Sequence, residues 1–142
     1  MTDSEFPGPV DYLLIEFPGD GPLDAVAAEL LALVESGIVS VWDLLAVRKE
    51  ADGSFSGVEL DALHESFTAF EGARAGLLGD DDIAEAAGAM EPGTVAALIV
   101  FENTWASRFV TAAYNAGGEV VATGRIPVAD LVETLDLLEA EA

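Results

Sequence analysis

Two glutamates, Glu16 and Glu102, each stand at the end of an apolar run, VDYLLIEF and VAALIVFE. Three arginines, Arg48, Arg108 and Arg125, fall near the ends of other expected strands or in the first turns of a helix. Two carboxylates brought close together repel unless one is protonated or a cation lies between them. A guanidinium can be that cation. Such a pair could do acid–base chemistry or hold a metal or an amine. The plain alternative is that both glutamates are exposed strand-end residues in ordinary surface ion pairs, worth about 0–1 kcal/mol each. Trp105 follows Glu102 closely. It either lines a cleft beside this site or packs into the core as an aromatic anchor. The candidate binding residues are therefore Glu16, Glu102, Trp105, Arg108 and Arg125, with no catalytic residue and no metal ligand assigned.

The other chemistry-bearing residues have plainer readings. His64 is the single histidine; it is either a general base or a residue on a helix flank. One histidine with no cysteine cannot build the usual zinc site. HExxH, GxSxG and Walker-type loops are missing, and no cofactor is implied. Asp80-Asp81-Asp82 lacks the spacing of a calcium loop and reads as the start of a helix. Gly19-Asp20-Gly21 before a helix superficially suggests phosphate binding, but lacks GxGxxG spacing and is flanked by acid.

Composition narrows the partners. The 142 residues hold 5 Lys and Arg against 27 Asp and Glu, a net charge of −22. So few basic residues cannot form the patch that releases counterions from nucleic acid, and anionic membrane surfaces repel the chain. The absence of cysteine excludes disulfides and thiolate sites and fits a reducing compartment. The N-terminus lacks the pattern of a signal peptide, and the longest apolar run, Val95 to Phe101, is too short for a bilayer span. A cytoplasmic protein is expected. With 51% apolar residues, disorder is not expected, and one domain over residues 1–142 is. The acidic coat fits either high salt or genome composition. It also opens a third function class, a protein that sequesters basic partners.

The elements that must position these residues follow from periodicity. Val10 to Phe17 reads as a strand. A helix follows, with Leu23, Val26, Leu30, Leu33 and Val34 on one face and Gly37 as its stop. Ile38 to Lys49 is β-rich, with Trp42, Leu44 and Ala46 alternating. Asp52-Gly53 forms a turn and Ser54 to Glu59 a short return strand. Leu60, Leu63, Phe67, Phe70 and Leu77 predict an amphipathic helix, and Asp80 to about Met90 another. Val95 to Phe101 is a second strong strand. A helix from about Trp105 to Ala116 follows, then a strand over Glu119 to Ile126 and a final helix after Pro127.

These elements echo each other. Residues 10–49 and 95–126 each read as strand, helix, strand, with a helical insertion at about 59–91. Tandem units of this kind, plus the C-terminal helix, predict an α+β ferredoxin-like sandwich. Its first strands would lie side by side and parallel, which is what would bring Glu16 near Glu102. Those strands are apolar on both faces. The face that the ferredoxin-like helices leave open must be covered by the insertion, by the last helix or by another subunit, so a homodimer or larger homo-oligomer is one of two open readings.

The segments GPVDYLLIEFPG, VWDLLAVRKEADG, MEPGTVAALIVFENTWASRF and GGEVVATGRIP, above all FENTWA and GRIP, resemble a family of small actinobacterial proteins described only as a domain of unknown function. Some relatives carry membrane or stress-related labels. The resemblance spans nearly the whole chain. It implies a ferredoxin-like fold and a cytosolic bacterial setting, and it supplies no catalytic residues. The expectation is a non-enzymatic, self-associating module that binds a protein or small ligand in a regulatory or stress-linked role. The alternative is a small enzyme or ligand-binding protein built on the carboxylate and arginine residues.

Overall fold

A computed structural model describes residues 7–18, 23–73 and 75–141. Gly19-Asp20-Gly21 lies outside the described residues. The chain divides into two compact units, Met1–Ala112 and Ala113–Ala142.

In the first unit, β1 (Val10–Phe17), β2 (Ser40–Lys49), β3 (Phe55–Val58) and β4 (Thr94–Glu102) form one sheet in the order β1-β4-β2-β3. Every pairing is antiparallel. The fold is therefore α+β. The two apolar runs are neighbours, as expected, but they run in opposite directions. Alternation within a strand reports which faces are buried, not which way a distant strand runs.

Helix α1 (Asp24–Glu35) connects β1 to β2. It ends at Gly37, whose φ of 76° is a left-handed conformation that glycine adopts without a Cβ clash. One sheet face, through Leu44, Ala46, Val95, Ala97 and Ile99, packs against Leu23 and Ala27 at the start of α1 and against Leu60, Leu63, Phe67 and Phe70. These last four residues do not form the expected α-helix. They lie on two 3₁₀ turns, Leu60–Ala62 and Glu65–Phe70. The break is at His64, whose backbone is extended and whose Nδ1 accepts the Ser66 N–H at 3.1 Å. The histidine is thus the cap of a 3₁₀ turn and not a residue on a helix flank.

The other face, through Val47, Ala96 and Leu98, is covered by Ala86, Ala87 and Met90 around α2 (Asp80–Ala89). The insertion thus closes part of the second face from within the chain. Asp80-Asp81-Asp82 is the helix start, with Asp82 Oδ2 accepting the Gly79 N–H at 2.8 Å. Lys49 reaches the opposite end of α2 and donates from Nζ to the carbonyls of Ala87 at 2.8 Å and Met90 at 3.0 Å. There a cation meets the negative end of the helix dipole.

After β4, a 3₁₀ turn (Thr104–Ala106) leads into α3 (Ser107–Asn115), where the division between the units falls. The second unit contains α4 (Val128–Glu141). The strand expected over Glu119 to Ile126 is not formed: these residues have no regular secondary structure. The second half of the chain therefore lacks its second strand. Among the described residues, no helix is long and apolar enough to cross a membrane.

Candidate functional site

The antiparallel pairing separates the two expected glutamates. Glu16 lies opposite Ala96, while Glu102 lies opposite Val10. They sit at opposite ends of the β1–β4 pair, about 20 Å apart at the usual rise per residue. Each carboxylate has local work. Glu16 Oε2 accepts the Glu91 N–H at 2.5 Å and the Thr94 hydroxyl at 2.9 Å, tying down the connection between α2 and β4. Glu102 Oε2 accepts the Gly8 N–H at 3.0 Å and fixes the entry to β1. Arg48 is exposed on β2, Arg108 is exposed at the start of α3, and Arg125 lies in the second unit. Glu16, Glu102 and the arginine of β2 are not gathered into one pocket.

Trp105 is 68% exposed, which corrects the core-anchor reading. Its backbone N–H donates to the Ile38 carbonyl at 3.2 Å, and its indole N–H to Asn103 Oδ1 at 3.4 Å. The residue that the 3₁₀ turn buries is Ala106. Among the described residues, no cluster of three or more His, Cys, Asp or Glu could hold a metal ion.

Asp43 went unnoticed in the sequence and is fully buried. The register shifts between Val41 and Asp43, so Trp42 is an extra residue in β2, a β-bulge, and not part of a simple alternation with Leu44 and Ala46. Asp43 Oδ2 accepts the N–H groups of Leu77 and Leu78, each at 3.0 Å, and Oδ1 accepts the Leu44 N–H at 3.1 Å. The Ala75 N–H donates to the bulged Trp42 carbonyl at 2.9 Å. This carboxylate straps the segment before α2 to the sheet. The signal was a single acid inside the apolar run VWDLLAV.

The surface with unused binding capacity is the outer edge of β1. The Asn103 N–H donates to the Pro9 carbonyl at 2.7 Å, which makes residues 9 and 103 a hydrogen-bonded pair. Bonded and non-bonded pairs alternate along an antiparallel ladder. The backbone groups of Asp11, Leu13, Ile15 and Phe17 therefore face β4, and those of Val10, Tyr12, Leu14 and Glu16 face outward, away from the sheet of the first unit. Strand β1 has eight residues. Inside it there is no proline, lysine or bulge, and its charged residues are Asp11 and Glu16. Tyr12 is 72% exposed. It lies with Leu14, Leu98 and Val100 along a groove of about 350 Å³ that Leu78, Ala86, Ala89 and the acids Asp82 and Glu85 also line.

No curated protein and no solved structure matches the chain. A family model does match, over residues 6–142, and the chain belongs to that family, the "Family of unknown function (DUF6325)".

Proposed function

We propose that this chain is a non-enzymatic, self-associating module of ferredoxin-like build, and that its association serves a regulatory or stress-linked role. The observation that carries this reading is the outer edge of β1, which no strand of the first unit's sheet covers, beside a groove lined by Tyr12, Leu14 and Leu98. An exposed edge strand is a ready template for pairing with another chain. The part of the ferredoxin-like reading with support is one split βαβ unit, β1, α1 and β2 with β4 antiparallel between the two strands. The non-enzymatic reading is supported by the work that Glu16, Glu102 and Asp43 do inside the fold, each accepting backbone N–H groups. Light scattering across the micromolar range tests the proposal. A mass that rises with concentration toward a defined oligomer is expected. A monomer at every concentration contradicts it.

A further inference from the structure

We infer that residues 77–92 form a lid over the second face of the sheet, and that this lid opens as one piece while the strands stay paired. The inference does not depend on self-association. It starts from the unequal cover of the two faces. The first face is sealed by Leu23, Leu60, Leu63, Phe67 and Phe70. The second is sealed by Ala86, Ala87 and Met90, with Leu78 and Ile83 partly buried beside them. Burial stabilises in proportion to the apolar area removed from water, so alanines hold α2 far more weakly than phenylalanines hold the opposite layer. Nor can α2 hold itself. It has ten residues, too few for a stable helix on its own in water, and Gly88 lies within it.

The polar ties of the lid lie at its ends. Asp43 of β2 accepts the Leu77 and Leu78 N–H groups where the lid begins. Lys49 of the same strand donates to the Ala87 and Met90 carbonyls where α2 closes, and Glu16 of β1 accepts the Glu91 N–H just beyond. The lid runs between two glycines of left-handed backbone, Gly76 and Gly93, with φ of 79° and 84°. A few residues at the ends of an element are what a hinge needs to absorb a change of direction. None of these ties belongs to the pairing of β1, β4, β2 and β3. Releasing them uncovers Val47, Ala96 and Leu98, an apolar strip reached without separating a strand. Segments with few buried apolar contacts open at the low end of local stability. Two charged side chains of β2, Asp43 and Lys49, thus govern access to this face.

Native-state amide exchange of the full chain in low urea tests the lid. The amides of residues 84–89 in α2 should exchange at least about tenfold faster than those of Leu98 and Ile99 in β4, and with a weaker dependence on urea, because opening exposes little surface. Lys49→Met removes ties at one end only. It should speed exchange by one common factor, about tenfold, along residues 84–89 and at Leu77 and Leu78 at the other end. Phe67→Leu weakens a layer that stays packed whether the lid is open or closed. It should speed exchange at Leu98 and Ile99 and leave residues 84–89 unchanged. The lid is overturned if residues 84–89 of the unaltered chain share the rate and urea dependence of Leu98 and Ile99. It is equally overturned if Phe67→Leu speeds both sets alike, or if Lys49→Met speeds only the last turn of α2.

Discussion

The buried Asp43 carboxylate accepts the backbone N–H of Leu78 at 3.0 Å, across 35 positions of sequence. The same oxygen accepts from Leu77. Leu78 packs with Ile83 and Leu14 against the cluster on the α2 side of the sheet. Asp43 therefore sets where α2 begins and how the groove beside β1 is closed. Asp43→Ala would leave three N–H groups, those of Leu44, Leu77 and Leu78, without this acceptor. It should destabilise the protein by about 3 kcal/mol, measured by urea denaturation. Exposed Glu59→Ala, by comparison, should change stability by less than about 0.5 kcal/mol.

Lys49 holds the other end of α2. Lys49→Met keeps the length of the side chain and removes the charge and both hydrogen bonds to Ala87 and Met90. A loss of about 1–2 kcal/mol is expected, with faster amide exchange in the last turn of α2. Lys49→Arg should recover part of it.

Gly8 tests the entry to β1. A Cβ there would stand 2.0 Å from the Asn103 carbonyl oxygen, a backbone atom. Gly8→Ala must push residues 7–9 outward and disturb the Gly8 bond to Glu102. It should cost about 2 kcal/mol in thermal or denaturant unfolding. Ala substitution at Gly72, where a Cβ meets nothing within 4 Å, should be tolerated far better.

The β2–β3 turn carries a pH signature. The Ser54 hydroxyl and N–H both donate to Asp52 Oδ1, at 2.6 and 2.9 Å, and hold its carboxyl below the ordinary value of 3.8. A lowered folded value means that the ionised form stabilises the turn. That contribution is present above the unfolded value and is lost as pH falls through the folded one. Ser54→Ala should move the Asp52 midpoint upward toward 3.8 in an NMR titration, because the hydroxyl bond is the largest cause of the shift.

Local pattern revealed the strand Val10–Phe17, the stretch Val95 to Phe101 of β4, the turn at Asp52-Gly53 and the acidic start of α2, because each depends on neighbouring residues. It did not reveal that β4 runs antiparallel to β1, a non-local choice, and the expected pairing of Glu16 with Glu102 failed for that reason. Residues 119–126 alternate like a strand, but a strand also requires an edge to pair with, which alternation does not specify. Asp43 was visible as an acid in an apolar run. Its role was not, because its partners Leu77 and Leu78 come from another segment.

Amide exchange at Tyr12 and Leu14, followed as a function of protein concentration, tests self-association through β1 most directly. The N–H groups of Leu13 and Ile15 face β4, so these amides should be protected at every concentration. The account predicts that Tyr12 and Leu14 exchange quickly in dilute solution and become protected as concentration rises. Fast exchange at both residues at all concentrations would contradict it.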